Sequence, residues 1–359
     1  MPILLDTARS GTKAELRGDK CLTIGLVNNM PDAALDATER QFIGLIRAAS
    51  PGLIIRFKLF SVPEIARSEQ ARLALATRYR DVSELWDTQL DGLIVTGNEP
   101  RAPSLRDEPY WPSLSKLMDW AARHTDSTIW SCLAAHAAVL HADGIERQLR
   151  KEKLFGVFDC DVVHAHALTA GMPSRISVPH SRHNGLPAAA LIASGYRILS
   201  QSASTGVDTF VGRDRDASLF LFFQGHPEYD VDSLAREYRR DLGRFLRGER
   251  DNFPAPPQDY FDEDASVLIE EFCARARNER VDKLIRQFPM KEIEGGLRNT
   301  WQASAIAIYR NWLANLQERK AKRRVPMWRV PRIARQSTVA PVAPGAAIAT
   351  LVDKPVAVP

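Results

Sequence analysis

The chain has 359 residues, 45% of them hydrophobic and 26% charged, which is ordinary for a soluble globular protein with a sizeable core. Four scattered cysteines without CxxC spacing argue against a disulfide framework and a zinc cluster. No stretch reaches the roughly 18 apolar residues of a membrane span, and the N-terminal apolar run is too short for a signal peptide. We therefore expect an untargeted cytoplasmic protein.

Apolar runs alternate with amphipathic helical segments from residue 22 to about residue 248. The first half is predicted to form strands at 22–27, 53–60, 90–97 and 127–130, and helices at 37–47 and 111–122. The second half is predicted to form strands at 153–158, 197–200, 208–211 and 218–223, and a helix at 231–246. This alternation predicts an α/β fold with a mostly parallel sheet flanked by helices, some later strands being antiparallel. Functional residues are then expected at the carboxyl ends of the strands.

Composition divides the chain into four segments. They are an N-terminal extension at 1–20, an α/β domain at 21–253, a helical appendage at 254–324 and a disordered basic tail at 325–359. The eight basic residues between Arg319 and Arg335 exceed the net charge of +4, so the remaining chain is mildly acidic. A nucleic-acid or anionic-surface role for this run is the alternative to a solvated tail, which we favour because blocks of like charge are commonly only solvated.

A cysteine stands where an apolar strand turns abruptly into an Ala-rich helix, in the segment Cys132-Leu-Ala-Ala-His136. The unpaired N–H groups at a helix N-terminus favour the anionic thiolate over the neutral thiol, which makes Cys132 the candidate nucleophile. The N–H of Leu133, with Asn98 in the loop after the third strand, is expected to form an oxyanion hole. The alternative for an isolated Cys132 is a buried structural thiol.

A histidine and a glutamate two residues apart follow the last strand, in Gly225-His-Pro-Glu228. Because alternate strand residues share a face, His226 and Glu228 are expected to project together, with Glu228 orienting a general acid–base His226. His136 is a rival base, but it lacks an orienting acid, so we prefer packing or substrate contact for it. His180 and His183 have metal-like spacing without further ligands nearby, and we expect no metal.

Several strings resemble the homoserine O-succinyltransferase family. They include Leu90-Asp-Gly-Leu-Ile-Val-Thr-Gly97, Lys153-Leu-Phe-Gly-Val-Phe158, Val178-Pro-His-Ser-Arg-His183, Gly225-His-Pro-Glu-Tyr-Asp230 and Glu237-Tyr-Arg-Arg-Asp241. These motifs stand in the family's order across roughly residues 20–262. The resemblance implies a glutamine-amidotransferase-like fold, a Cys-His-Glu constellation, usually a dimer, and acylation of homoserine in methionine biosynthesis.

Carried over position by position, the resemblance assigns the acyl-thioester cysteine to Cys132, the base to His226 and its carboxylate to Glu228. It also assigns substrate contacts to Lys153, Ser181 and Arg240. The chain departs from the family at Cys132-Leu-Ala-Ala-His136, where Cys-Trp-Gly-Ala-Gln is typical, and residues 262–300 look inserted. In the loop after the third strand, Arg101 would suit a dicarboxylic acyl group such as succinyl.

The sequence thus predicts a homoserine O-acyltransferase that works by a ping-pong route through an acyl-enzyme on Cys132. The co-substrate is acyl-CoA, with succinyl-CoA favoured over acetyl-CoA, no cofactor stays bound, and a homodimer is expected. One alternative is a glutamine amidotransferase-type hydrolase, and another is an O-acyltransferase that acts on serine or a related hydroxy amino acid. A non-enzymatic relative that binds a ligand or partner is the third.

Overall fold

The computed structural model describes residues 3–6, 21–213 and 217–324. Met1–Arg323 form one compact unit and Arg324–Pro359 a second, and nearly all of the described residues belong to the first. The predicted tail at 325–359 and most of the predicted extension at 1–20 lie outside the described residues.

The described strands form one mixed sheet. They are β1 (Ile3–Leu5), β2 (Cys21–Val27), β3 (Ile54–Phe60), β4 (Leu90–Val95), β5 (Thr125–Ser131), β6 (Gln148–Val162), β7 (Arg175–Gly185), β8 (Arg197–Ser202), β9 (Gly206–Val211) and β10 (Leu219–Phe223). Their order is β1-β3-β2-β4-β5-β10-β9-β8-β6-β7. The strands from β1 to β10 in this order pair in parallel, and the pairings beyond β10 are antiparallel. The predicted α/β fold with a mostly parallel sheet is confirmed.

Helices cover both faces of this sheet. They are α1 (Asp32–Ala49), α2 (Glu69–Arg78), α3 (Ser83–Trp86), α4 (Trp111–His124), α5 (Leu133–Asp143), α6 (Ala188–Ala193), α7 (Ser233–Leu246), α8 (Glu263–Asn278), α9 (Met290–Glu294) and α10 (Gln302–Arg324). Within the described ranges, no helix combines the length and the apolarity that crossing a bilayer requires.

The central strands are buried because each face of the sheet supports its own apolar layer. On one face, α4 and α5 pack against Trp130 and Phe222. On the other, α1 and α10 pack against β2, β4 and β5, with Phe42 and Trp312 fully buried. The predicted helical region at 254–324 is present, and its last helix, α10, packs on the central sheet.

One long strand was not predicted. β7 contains Pro179, and the sequence Pro-His-Ser-Arg-His lacks the alternating apolar pattern of a half-buried strand. Pro cannot donate to a ladder, but among the described strands β7 is the last of the sheet and pairs only with β6, so a missing donor is tolerated. Ser181, which was predicted to contact substrate, and the pair His180 and His183, for which no metal was expected, therefore lie on β7.

A buried carboxylate fastens α10 to the amino end of the sheet. Asp91 accepts hydrogen bonds from Lys320 Nζ (2.7 Å), Arg323 Nη2 (2.7 Å) and the Thr23 N–H (2.8 Å), and it is 5% exposed. Asp91→Asn should lower the free energy of unfolding by about 1–3 kcal/mol, because two cations and one amide lose a charged acceptor. Urea unfolding measures this, with the exposed Asp36→Asn as control. Equal midpoints for the two variants would contradict the role of Asp91.

Candidate active site

Parallel strands bring the two predicted catalytic segments to one edge of the sheet. β5 and β10 are neighbours in parallel register, with Ser131 paired to Phe223. The next residues along each strand, Cys132 and Gln224, therefore leave the sheet side by side. The Cys132 N–H donates to the Phe223 carbonyl at 2.7 Å, which anchors the turn.

Cys132 occupies a strained turn. It immediately precedes α5 and has φ 51° and ψ −111°, in the region that residues with a Cβ rarely adopt. Such a residue costs on the order of 1–3 kcal/mol, and it persists where the surrounding structure over-determines it. The side chain is partly exposed, whereas Cys21, Cys160 and Cys273 are buried. Strain and access together fit a nucleophile at a strand-to-helix elbow.

The His226 side chain is held by Glu228 through a hydrogen bond of 2.8 Å between Nδ1 and Oε1, and both residues are buried. With the Nδ1 proton donated to the carboxylate, Nε2 is left to act on another group. Burial opposes the charged imidazolium, but the Cys132 side chain and Glu228 outweigh it and raise the pKa of His226 well above its ordinary value. The three side chains therefore form one coupled unit.

Strand alternation predicted that His226 and Glu228 project together from a strand, but neither residue lies on one. β10 ends at Phe223, and residues 224–228 form a turn in which the Tyr229 N–H donates to the His226 carbonyl. The turn is fixed from outside, because the His226 N–H donates to the Pro179 carbonyl on β7 at 2.9 Å. An added Cβ at Gly225 would approach Val178 Cγ1 to 2.4 Å, so only glycine allows this contact. Long-range contact, rather than strand alternation, aligns the pair.

His136 lies beneath the site, with 3% of its surface exposed. Its Nε2 contacts Gln224 Oε1 at 2.9 Å. The same oxygen accepts the Leu186 N–H, and the Gln224 amide nitrogen donates to a carbonyl, so Nε2 of His136 must be the donor. Burial lowers the pKa of His136 to about 3, and the ring is therefore neutral at physiological pH. In this structure His136 supports Gln224 by a hydrogen bond.

The buried neutral ring predicts acid sensitivity. Since the folded-state pKa of His136 is about 3 and the unfolded value 6.5, the unfolded state binds more protons between these pH values. Stability contributed by His136 is thus present above pH 6.5 and is lost as the pH falls towards 3. Between pH 7 and pH 5 the parent should lose about 2 kcal/mol more of its free energy of unfolding than the His136→Gln variant, which lacks this titrating ring. Urea unfolding at both pH values tests this, and identical losses in parent and variant would refute it.

The predicted oxyanion loop touches the first turn of α5. An added Cβ at Gly97 would lie 2.4 Å from Leu133 Cβ, so the Gly97–Asn98 backbone passes directly over the residue after Cys132. As the first helical residue, Leu133 has an N–H without an intrahelical acceptor. Asn29 holds the loop, because its side chain donates to the Thr96 carbonyl at 3.1 Å. The Leu133 N–H thus lies next to Cys132, where the sequence predicted an oxyanion hole.

The three residues assigned to substrate contact converge from β6, β7 and α7. Lys153 Nζ lies 3.1 Å from Asp241, which Arg240 also contacts at 3.1 Å. Ser181 donates to Glu237 Oε2 at 2.6 Å. Burial opposes the charged Asp241 carboxylate, but Lys153 and Arg240 outweigh it and lower its pKa. The cluster adjoins the catalytic turn, because the hydroxyl of Tyr229, three residues after His226, donates to Glu237.

Sequence reasoning missed the acids of this cluster. Glu237 lies three residues before Arg240 and four before Asp241 on α7, spacings that were visible in the motif. The sequence could not show that this face meets Lys153 and Ser181, because β6 and β7 approach α7 only in the folded chain.

Arg101 and the histidines of β7 were also singled out in the sequence. The Arg101 side chain is exposed, and its backbone N–H donates to Glu108 Oε1. His180 is fully buried, with Nδ1 accepting from Arg182 Nε at 3.3 Å and Nε2 lying 3.5 Å from Asp208. Among the described residues no group of three or more His, Cys, Asp or Glu side chains is arranged to hold a metal ion.

The chain is similar to known proteins over most of its length. A family model described as "HTS: Homoserine O-succinyltransferase" matches residues 7–321. A homoserine O-succinyltransferase of Rhodopseudomonas palustris is 49% identical over 297 residues, which are 83% of this chain and 89% of that protein. A relative of the same name from Methylorubrum extorquens is 49% identical over 300 residues, 84% of this chain and 88% of the relative.

Similarity to solved structures is weaker. A glutamine amidotransferase from Methylobacillus Flagellatus gives a TM-score of 0.47 at 16% identity, covering 82% of this chain and 95% of that chain. A glutamine amidotransferase from Thermotoga maritima gives a TM-score of 0.46 at 11% identity, covering 84% of this chain and 100% of that chain.

Proposed function

Because the chain belongs to the homoserine O-succinyltransferase family, we propose that it transfers a succinyl group from succinyl-CoA to the hydroxyl of homoserine. The family match bears out the resemblance seen in the sequence motifs and makes the protein an acyltransferase of methionine biosynthesis. The observation that carries the mechanism is the coupling of Cys132, His226 and Glu228 beside a cluster of charged side chains. No bound cofactor is required by this chemistry.

In the first half-reaction the Cys132 thiolate attacks the thioester carbonyl carbon of the acyl-CoA. The carbonyl oxygen becomes an oxyanion that accepts hydrogen bonds from the N–H groups of Leu133 and the Gly97–Asn98 loop. When the tetrahedral intermediate collapses, the bond to the CoA sulfur breaks and His226 gives that sulfur its proton. The products are a thioester on Cys132, free CoA and a neutral imidazole.

In the second half-reaction His226 acts as the base. Acylation removes the negative charge of Cys132, one of the two charges that raise the pKa of His226, so the imidazole is freed to accept a proton. It takes the proton of the homoserine hydroxyl while the oxygen attacks the thioester carbon. The Cys132–acyl bond then breaks, and the thiolate and imidazolium are restored.

The charged cluster suits an amino acid that carries both a carboxylate and an ammonium group. The Arg240 guanidinium offers a planar fork for the carboxylate, and Lys153 adds positive charge nearby. Glu237 and Asp241 supply negative charge for the ammonium group, and Ser181 offers a hydroxyl. This balance of charges is why an amino acid acceptor is favoured over a neutral alcohol.

Arg240→Lys should raise the KM for homoserine about tenfold or more, because the ammonium keeps the charge but loses the two-pronged contact. Acylation of Cys132 by the donor should be nearly unchanged, since Arg240 acts on the acceptor. Steady-state kinetics and single-turnover acylation separate the two effects. Equal damage to both half-reactions would instead assign Arg240 to the fold or to the donor site.

The proposal as a whole is tested by intact-mass measurement after mixing the protein with succinyl-CoA and, separately, with acetyl-CoA. A mass increase that maps to Cys132 and disappears when homoserine is added supports the ping-pong route. Discharge by serine in preference to homoserine would reassign the acceptor. Glutamine hydrolysis without any acyl adduct would favour the amidotransferase alternative. The predicted homodimer is checked in the same preparation by light scattering after gel filtration.

A further inference from the structure

A donor that ends in a free carboxylate needs a cation near the nucleophile, and most cations around the site are already paired. Lys153 and Arg240 contact Asp241, each at 3.1 Å. Arg244 forms two hydrogen bonds of 3.1 Å to the Glu99 carboxylate. Lys153 and Arg240 are also the residues proposed for the acceptor carboxylate, and Arg244 is held by Glu99, so the donor carboxylate needs a different cation.

Among the described residues, Arg147 and Arg182 lie close enough to Cys132 for the charge of its side chain to raise their pKa values. Arg182 is 4% exposed, and its guanidinium donates to the carbonyls of Asn184 and Thr205 at 2.6 Å each. Its third contact is to His180 Nδ1. Arg182 is therefore enclosed, and each of its three nitrogens already donates one hydrogen bond, which leaves Arg147.

The strand register locates Arg147 independently. Arg147 immediately precedes β6, whose first residue, Gln148, pairs with Gly185 at the end of β7. A Cβ at Gly185 would lie 4.0 Å from Gln224 Oε1, and this oxygen bonds His136 in the first turn of α5. The start of β6 therefore lies beside α5, the helix that follows Cys132.

Arg147 is partly buried, and it forms no hydrogen bond or ion pair with any residue in the ranges 3–6, 21–213 and 217–324. Burial lowers its pKa, and nearby groups, Cys132 among them, offset this only in part. A partly buried guanidinium without a partner is costly unless a ligand supplies the anion.

A second unpaired group lies next to it. Tyr110 is 6% exposed, and its hydroxyl has no hydrogen-bond partner among the described residues. Tyr110 and Arg147 are close enough for each to influence the ionisation of the other. Tyr110 also lines a small cavity with Gly97, Asn98 and Leu133, the backbone expected to hold the oxyanion.

We propose that Arg147 and the Tyr110 hydroxyl bind the terminal carboxylate of the succinyl group and so select the dicarboxylic donor. This inference rests on the proposed acyl-enzyme at Cys132. Two acids adjoin Arg147: Glu108, whose Oε1 is committed to the backbone N–H groups of Arg101 and Ala102 at 2.5 and 2.6 Å, and Glu146, which is exposed and therefore screened by solvent. The inference competes with the sequence-based assignment of donor choice to Arg101.

The test compares succinyl-CoA with butyryl-CoA, which has the same chain length but ends in a methyl group. Arg147→Gln should lower kcat/KM for succinyl-CoA by about 10- to 100-fold and change that for butyryl-CoA by less than about twofold. Tyr110→Phe removes only an unpaired oxygen, so it should fold normally, and it should lower the succinyl-to-butyryl ratio by about 3- to 10-fold. Arg123→Gln, an exposed arginine on α4, is the surface control.

The alternatives have different signatures. Equal losses for both donors that fade with added salt would mean that Arg147 attracts the CoA phosphates, and would overturn the inference. A larger loss of donor selectivity in Arg101→Gln than in Arg147→Gln would overturn it in favour of Arg101. An acyl adduct on the parent with an unchanged donor ratio in both variants would refute the inference alone. No adduct on the parent with any donor would refute the proposed function as well.

Discussion

Cys132→Ala is expected to form no acyl adduct with any acyl-CoA and to lose turnover by about 10⁴-fold or more. The reason is that the ping-pong route needs a covalent carrier, and no other thiol is accessible. Cys160 is fully buried and its thiol pKa is raised to about 12 by burial, so it cannot substitute. Intact mass and steady-state kinetics measure both effects.

The variant should keep its fold, because alanine has the same Cβ at the strained φ and Cys132 is only partly buried. A circular dichroism spectrum and a melting temperature close to those of the parent are therefore part of the expected result. Cys160→Ala is the matched control, since it removes a thiol that no step uses and should leave acylation intact. Turnover of Cys132→Ala near the parent rate would refute the nucleophile assignment.

His226→Asn is expected to slow both half-reactions by about 10²-fold or more, since one group serves as acid to the CoA sulfur and as base to the acceptor. Asparagine can keep a hydrogen bond to Glu228 but cannot exchange a proton. Single-turnover acylation and its discharge by homoserine report the two steps separately. Loss confined to one step would limit His226 to a single role.

His136→Gln is the control for this assignment, because the amide can donate to Gln224 as Nε2 does in the parent. It should retain most activity while altering the acid stability described above. If His136→Gln were inactive and His226→Asn active, the general base would have to be reassigned to His136.

The sequence by itself determined the elements that are set by local pattern. The largely apolar segment at β4 predicted a buried strand, because strands covered on both faces lose the polar alternation. The strand-to-helix change at Cys132 predicted the elbow, and the motif Gly225-His-Pro-Glu228 marked His226 and Glu228 as a pair. These features depend on residues that are near in sequence, so a pattern can reveal them.

Only the tertiary structure decided which distant groups meet. The hydrophobic pattern did not reveal β7, because it is an edge strand that tolerates Pro179. This strand carries Ser181, which reaches the acids of α7. The pairing of each cation at the site depends on partners up to 145 residues away in the sequence, as for Arg244 and Glu99. Whether an arginine is paired, enclosed or open to a ligand therefore follows from packing, since burial and opposite charges, rather than residue type, set the free energy of each charge.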